Sequence, residues 1–329
     1  MNGSKKLMIL YILEVLKRYS DEDHPLLQND IIQFIHMDYD MECERKAIAR
    51  NITSLQEFGY DIAYENGYYL RERKFEDSEL RLLIDSVLCS RQIPEKQGKQ
   101  LIEKLGTLSN QYFKKSLRHV CNISQMPHTP NRELFYTIDV LDDAIEQQKQ
   151  VRFYYNKYGV DKNLHHVHDF KATVNPYQMV TANGRYYLIG NIQKFDNIVH
   201  WRLDFISEIE LLDSPAKPMQ QVKGLEHGLN LPKHLAEHIY LFSGESVHVK
   251  MRVKTVAISD VVDWFGTDIT ITPEDSENCI VQLTVNQNAM YYWALQYGDF
   301  VKILEPDRLK KWVEESNIKT GQNYDDKGV

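Results

Sequence analysis

The sequence predicts an α+β protein made of several domains. Its 329 residues exceed what one hydrophobic core normally organises, so two or three domains are expected. The apolar pattern also changes along the chain: helical spacing gives way to β-rich sequence, and then to alternating strands and helices. From these changes we predict four parts, at residues 1–74, 75–130, 131–213 and 214–329.

The composition is that of an ordinary folded protein. The chain is 43% hydrophobic and 26% charged with a net charge of −8, which argues against disorder. No apolar run reaches the roughly 18 residues that a membrane-spanning helix needs. The four cysteines form no CxxC pair, so neither a disulfide framework nor a zinc ribbon is indicated. We expect a cytoplasmic protein that binds no cofactor, no metal and no membrane.

The first part, residues 1–74, has the pattern of a winged helix-turn-helix. An amphipathic helix carries Ile9, Ile12, Leu13 and Leu16 at helical spacing, and a second helix follows with apolar residues between 31 and 35. A third helix is predicted from Cys43 to Phe58, ended by Gly59. Beyond it, Asn66-Gly67 lies between two short apolar runs and predicts a tight hairpin, the wing.

The third helix presents a face suited to a DNA major groove. Ile48, Ile52 and Leu55 share one side and are expected to be buried, which turns the opposite side to solvent. The candidate DNA-binding residues on and beside this exposed side are Arg45, Lys46, Ala49, Arg50, Asn51 and Thr53. Residues 1–74 carry ten Lys/Arg against thirteen Asp/Glu, so the prediction depends on the cations that reach phosphates and not on the total charge. The alternative is a small helical domain with a solvated charged face.

Residues 75–130 predict a helical linker. Two amphipathic helices are separated by Ile93-Pro94, and the stretch Gln125–Asn131 contains two prolines that suggest a boundary. The linker is rich in cations, namely Arg91, Lys96, Lys99, Lys104, Lys114, Lys115 and Arg118. These cations either contact DNA phosphates or only form the water-exposed surface of the helices.

Residues 131–213 predict a small curved sheet or barrel. After a helix over Thr137–Gln148, three stretches rich in β-branched and aromatic residues follow, at 151–159, 170–192 and 199–213. Asn183-Gly184 marks a tight turn within the second. His165, His166 and His168 invite a metal site, but no further ligand is identifiable nearby, which favours a turn with polar histidines.

The last part, residues 214–329, alternates strands and helices. The run Val247–Lys254 alternates apolar and polar residues as a half-buried strand does. The elements after it complete the order β-α-β-β-α-β, which is that of ferredoxin-like folds.

Several of these stretches resemble the WYL-type transcriptional regulators. The third helix reads ERKAIARNITSLQEFGY, with Arg50-Asn51 where the family usually has Arg-Asp, and GYYL at 67–70 matches the family's wing strand. NGRYYLIGN at 183–191 is similar to the Trp-Tyr-Leu strand, with Tyr186 in place of Trp. WRLDFISEI at 201–209 is similar to the Arg-Leu-Asp strand, and Asn175-Pro176 stands where the family has a proline.

The resemblance implies an Sm-like β-barrel whose pocket binds a negatively charged ligand, such as a nucleotide or a nucleic-acid end. Arg suits bidentate phosphate recognition, and Tyr offers a hydroxyl and a stacking face. The candidate ligand-binding residues are Tyr155, Arg185, Tyr187 and Arg202. Ala172 and Phe205 stand where arginines are common in the family, so the ligand differs from the usual one or binds more weakly. The C-terminal part is similar to the family's extension for dimerisation or ligand gating.

The leading hypothesis is therefore a ligand-responsive transcriptional regulator that binds duplex DNA as a homodimer. A second hypothesis is an accessory protein that binds RNA or single-stranded DNA through the barrel. A third is an enzyme acting on nucleotides, which is disfavoured because no catalytic or phosphate-binding motif occurs.

Overall fold

The computed structural model describes residues 5–116 and 129–325. The chain divides into two compact units, Met1–Pro130 and Asn131–Val329. Across the described ranges, no helix combines the length and the apolarity that crossing a bilayer requires. Two residues of the sequence predictions, Arg118 and Cys121, lie outside the described residues, as does most of the proline-containing stretch Gln125–Asn131.

The N-terminal unit begins with three helices around one core. They are α1 (Met8–Tyr19), α2 (Gln28–Tyr39) and α3 (Arg45–Phe58). Ile48, Ile52 and Leu55 are buried as predicted, and they pack with apolar residues of α1 and α2. Gly59 ends α3 in the left-handed conformation, with φ of 115°, which a residue without Cβ adopts at little cost.

A two-stranded hairpin follows at the predicted place. Strands β1 (Ile62–Tyr64) and β2 (Tyr68–Leu70) pair antiparallel, with Asn66 in the left-handed region at φ of 58°. Leu26, just before α2, exchanges two backbone hydrogen bonds with Tyr68, at 2.8 and 2.7 Å. A Cβ at Gly67 would lie 3.0 Å from backbone atoms of Leu26. The glycine therefore allows the hairpin to lie against the chain that enters α2.

Three further helices of the same unit are α4 (Asp77–Cys89), α5 (Glu95–Gly106) and α6 (Gln111–Ser116). Leu80, Ile84 and Leu88 of α4 pack with Phe113 of α6 in a small separate core.

The C-terminal unit starts with α7 (Leu134–Glu146) and a curled sheet. Its strands are β3 (Lys149–Tyr158), β4 (Leu164–His166), β5 (Ala172–Ala182), β6 (Arg185–Ile192), β7 (Val199–Arg202) and β8 (Ile206–Pro215). The hydrogen-bonded order is β4-β3-β5-β6-β7, and β8 pairs with β3. The neighbours are antiparallel. Because β3 bonds both β5 and β8, the sheet curls around it, and α7 packs on the same strands.

The turn at Asn183-Gly184 is present, with φ of 51° and 68°. Two local predictions were wrong. The stretch that resembles an Arg-Leu-Asp strand is interrupted after Arg202, because Leu203–Phe205 form a 3-10 helix between β7 and β8. β4 was not predicted, because its three residues sit in a polar stretch with no apolar alternation.

The rest of the unit is a second sheet with helices. In chain order the elements are α8 (Leu231–Glu237), β9 (Ser246–Lys254), α9 (Ile258–Phe265), β10 (Thr270–Pro273), β11 (Asn278–Asn286), α10 (Gln287–Gln296), β12 (Val301–Glu305) and α11 (Asp307–Asp325). The sheet order is β10-β11-β9-β12. Val249, Met251 and Val253 are fully buried, as the alternation predicted. Helix α8 was missed by the sequence analysis.

Candidate functional site

The exposed side of α3 carries the cations that the sequence singled out. Lys46, Arg50 and Thr53 are exposed, Ala49 is partly buried, and the apolar side of the helix is in the core. Neither Lys46 nor Arg50 forms an ion pair with another described residue. Their charges are therefore available to an external anion.

Three of the predicted residues form hydrogen bonds within the unit. Asn51 is partly buried and donates its amide to the Ala47 carbonyl at 2.7 Å. Arg45 is exposed, and its Nε donates to Asn29 Oδ1 at 2.8 Å. Thr53 also donates to its own helix, at 3.1 Å from the Ala49 carbonyl. Of the six candidates, Lys46 and Arg50 thus keep the most hydrogen-bonding capacity for a partner.

A groove lies beside this face, between the start of α2, the start of α3 and the hairpin. Its volume is about 470 Å³, and it is lined by Leu27, Gln28, Asn29, Arg45, Tyr64 and Tyr68. Tyr64 is 63% exposed and meets Tyr68 edge to face. Asn29 and the two tyrosines were missed by sequence reasoning, because only the pairing of Leu26 with Tyr68 brings the hairpin to α2.

The second candidate site gathers the four predicted ligand-binding residues around one buried carboxylate. Arg202 donates from Nε and Nη2 to the two oxygens of Asp204, at 3.1 and 2.7 Å. The Nη1 of Arg185 lies 3.6 Å from the same carboxylate. The Asp204 side chain is only 2% exposed, whereas the two arginine side chains are 23% and 26% exposed. Asp204 therefore compensates one of the two positive charges of this arginine cluster (Arg185, Arg202 and Asp204).

The two tyrosines support the arginine cluster from within. Tyr187 lies directly opposite Arg202 across β6 and β7, so the two side chains share a face of the sheet. The hydroxyl of Tyr155 accepts a hydrogen bond from the Arg202 amide at 3.3 Å. Burial raises the pKa of Tyr155 to about 12, against the lowering effect of this hydrogen bond, and burial also raises the pKa of Tyr187. Both hydroxyls thus stay protonated near neutral pH.

Phe205 closes one side of the cluster. The guanidinium of Arg202 lies 3.8 Å from the centre of its ring, and Tyr155 and Tyr158 meet the ring edge to face. Arg202 is therefore held by a bidentate ion pair and a cation–π contact. Arg185 pairs with the Asp204 carboxylate without a hydrogen bond to it. Among the described residues, the N–H donors of Arg185 are therefore more available to an anionic ligand than those of Arg202.

The histidines that suggested a metal site have separate partners. His165 lies 2.9 Å from both oxygens of Asp161, His166 stacks on Tyr154, and His168 stacks on Phe170. Within residues 5–116 and 129–325, no group of three or more His, Cys, Asp or Glu side chains is arranged to hold a metal ion.

The fold and the arginine cluster define a multidomain α+β protein with a curled-sheet domain. Residues 136–211 match the WYL domain family, and residues 245–316 match the WCX domain family. The chain thus carries a WYL domain and a WCX domain, which confirms the resemblance to WYL-domain proteins seen around Tyr187 and Arg202. No curated protein sequence matches the chain.

Several solved structures are similar to the chain at low sequence identity. The proteasome accessory factor B/C (PafBC) of Arthrobacter aurescens is 16% identical with a TM-score of 0.30, over 97% of this chain and 49% of that one. The chain thus spans about half the length of PafBC. A CRISPR Cas-related protein is 14% identical with a TM-score of 0.42, over 99% of this chain and 88% of that one. A hypothetical protein is 12% identical with a TM-score of 0.17, over 98% and 76% of the two chains.

Proposed function

We propose that this protein is a transcriptional regulator that binds duplex DNA through its N-terminal unit. The observation that carries the proposal is the exposed face of α3, beside the groove under the hairpin, where Lys46 and Arg50 form no ion pair with another described residue. Three helices followed by a hairpin form a winged helix-turn-helix in this interpretation, with α3 as the recognition helix and the hairpin as the wing.

The groove adds a second kind of contact. Asn29 fixes the Arg45 guanidinium at the start of α3, and Tyr64 presents an exposed ring and hydroxyl from the wing. Side chains at such positions bind phosphates and so set the register of a helix in the major groove. Lys46 and Arg50 are then left to reach phosphates or guanine edges.

We infer a homodimer from the same charge pattern. The exposed face of α3 offers two cations, Lys46 and Arg50, that pair with no other described residue, and electrostatic affinity grows with the number of phosphates neutralised. Two copies double that number and fit an operator with two half-sites about one helical turn apart.

The test is a titration of duplex DNA at several salt concentrations. A Lys46→Ala/Arg50→Ala variant should lower the slope of log K against log salt by about 2, because roughly one counterion is released per phosphate contact. The probe is a mixed-sequence duplex of about 30 base pairs, long enough for two half-sites. Fluorescence anisotropy gives the affinity.

A matched control removes two exposed cations of the C-terminal unit, Lys254→Ala/Lys302→Ala. This variant should bind as the unaltered protein does. If the α3 variant keeps its full salt slope and affinity, the proposal is wrong.

In the WYL domain we propose a site for an anionic effector, a nucleotide or a nucleic-acid end. The support is the pair of guanidiniums around Asp204, of which Arg185 has free donors, next to the aromatic rings of Phe205 and Tyr158. In this interpretation the curled sheet is an Sm-like barrel, and the C-terminal sheet order β10-β11-β9-β12 is ferredoxin-like.

We also propose that the chain is not an enzyme. A magnesium-dependent nuclease assay on duplex and single-stranded DNA tests this, and turnover would contradict it.

The same aromatic rings favour a second candidate function, binding of RNA or single-stranded DNA through the WYL domain. Tyr158, which meets Phe205 edge to face beside the cluster, is 46% exposed, and exposed rings stack on unpaired bases. A single-stranded oligonucleotide distinguishes the two functions. If Arg202→Ala abolishes its binding while the α3 double variant retains duplex binding, the second function replaces the first.

A further inference from the structure

A short segment between the two sheets of the C-terminal unit lies across the ligand face of the WYL domain. This strap, Leu229–Leu241, contains α8 and connects the curled sheet to β9. Its apolar side chains pack on the sheet residues Val180, Tyr187 and Ile189; they are Leu229, Leu231, Leu235 and Leu241. Asn183 of the sheet also donates to the Ile239 carbonyl at 2.6 Å.

The strap covers the face that carries the candidate effector site. Ile189 of β6 pairs with His200 of β7, and Tyr187 pairs with Arg202 two residues further on. Side chains two residues apart on a strand point the same way. Tyr187, Ile189, His200 and Arg202 therefore share one face, and the strap lies on its Tyr187–Ile189 side.

Three histidines join the strap to this face. The Nε2 atoms of His200 on β7 and His234 on α8 are 2.8 Å apart, a direct imidazole–imidazole hydrogen bond. His238 stacks on His234 with ring centres 4.2 Å apart, and its Nδ1 lies 3.0 Å from the His234 carbonyl. His234 and His238 are buried, at 8% and 9% exposure.

The hydrogen bond between the two imidazoles requires at least one neutral ring. One Nε2 must donate and the other must accept, so at least the accepting ring is uncharged. The Nδ1 of His200 is buried without a hydrogen-bond partner. Leaving a nitrogen lone pair unpaired at this buried position costs less free energy than leaving an N–H unpaired. The favoured form of His200 is therefore neutral, with its proton on Nε2. A second proton on His200 would be a buried, unpaired charge beside two other rings.

We propose that the three histidines are a pH-sensitive latch that holds the strap over the ligand face and releases it on protonation. The latch rests on contacts within the C-terminal unit and would exist without DNA binding. Only the assignment of the uncovered face as an effector site rests on the proposed function.

The surroundings of the rings favour the neutral forms. Burial, with a smaller effect of the neighbouring imidazoles, lowers the pKa of His200 to about 3 and that of His234 to about 4. Burial also lowers the pKa of His238, against the opposing effects of the His234 and Gly244 carbonyls and the Glu237 carboxylate. Glu237 lies 3.8 Å from the Lys233 Nζ on the same helix, and Arg202 follows His200 on the sheet face. The charges around the latch therefore do not stabilise three added protons.

The direction of the pH effect follows from these shifts. In a released strap the rings are in water and regain a pKa near 6.5. The closed latch is thus fully stable above that value and loses stability as the pH falls below it. Between about pH 7.5 and about pH 5.5, His200 and His234 each increase the opening equilibrium about tenfold.

Hydrogen–deuterium exchange on the full chain measures this opening. After correction for intrinsic exchange rates, the protection of peptides covering 229–241 should fall about 100-fold over that pH range, from His200 and His234 together. Peptides of β9 and β11 should keep their protection. A His248→Gln variant, at an exposed position of β9, should show the same response.

A His200→Gln/His234→Gln variant should reduce the response to about tenfold or less. Because this variant could lose the strap altogether, a histidine NMR titration of the unaltered protein is the second measurement. The proposal is overturned by any of three results: strap protection that does not change with pH, protection lost equally across the unit, or histidine titrations at ordinary values in the folded protein. Zinc that raises strap protection would assign the cluster to a metal instead.

Discussion

Asp204 decides how much positive charge the WYL domain offers to a ligand. Its buried carboxylate holds Arg202 through two hydrogen bonds and lies 3.6 Å from Arg185. Phe205 stands at a position where arginine is common in the resembled family. Its ring contacts the Arg202 guanidinium and helps to hold it in place. Asp204 thus lowers the net positive charge of the cluster, and Asp204 and Phe205 together hold Arg202 in place.

Replacing Asp204 by Asn should destabilise the C-terminal unit by about 1–3 kcal/mol, because one charge-assisted pair is lost and the guanidiniums repel. Urea unfolding measures the change. The matched control is Asp213→Asn, which removes a fully exposed partner of Lys149 and should change stability by less than about 1 kcal/mol. Equal effects of the two substitutions would contradict the role assigned to Asp204.

At the scale of elements, Arg73 ties the chain after the hairpin to the end of α1. Its Nη1 donates to the Lys17 carbonyl at 2.8 Å and its Nη2 to the Ser20 carbonyl at 2.5 Å. Carbonyls in the last turn of a helix have no partner within the helix, and a cation there also favours the helix dipole. Burial lowers the pKa of Arg73 because it disfavours the charged guanidinium, and the two hydrogen bonds to carbonyls offset this desolvation.

An Arg73→Ala variant should therefore lose about 1–3 kcal/mol of stability in the N-terminal unit. Arg71→Ala is the control, since Arg71 is exposed and its ion pairs with Glu65 and Asp61 are long, at 3.5 and 3.9 Å. The Arg71→Ala variant should lose much less stability than the Arg73→Ala variant. Thermal unfolding followed by circular dichroism compares the two, and a larger effect of Arg71→Ala would refute the assignment.

Whole elements were predictable where a periodic apolar pattern or a turn signal was present. Helix α3 with its Gly59 stop, the Asn183-Gly184 turn and strand β9 lie where the sequence placed them. Helix α8 was missed because its seven residues are too short for a helical period to stand out. The break after Arg202 was missed because Leu203 and Phe205 favour strands locally, and only packing against β3 and α7 turns them.

At the scale of the molecule, the two units have separate hydrophobic cores. In the described residues, the clusters around Ile12 and Leu80 belong to the N-terminal unit, and those around Met251 and Val180 belong to the C-terminal unit. Units with their own cores commonly unfold as separate cooperative transitions.

We expect calorimetry to resolve two unfolding transitions. Ile12→Ala and Met251→Ala each remove a fully buried side chain, at a cost of about 2–5 kcal/mol. Each should lower the temperature of one transition and leave the other in place. A single transition lowered by both substitutions would show that the units unfold as one.

The sequence by itself determined the class of the protein. Periodic apolar residues, two Asn-Gly turns and the stretches around Tyr187 and Arg202 were enough for the helices, most strands and the family, because these signals are local. The candidate binding residues were also chosen from local patterns, and their roles in binding stay predictions.

Only the tertiary structure decided which of these residues are free to act. It turned Arg45 to Asn29 and placed Asp204 between Arg185 and Arg202. It also brought His234, 34 residues along the chain, to His200. Such pairings depend on register and packing between distant segments, and no local pattern in the chain records them.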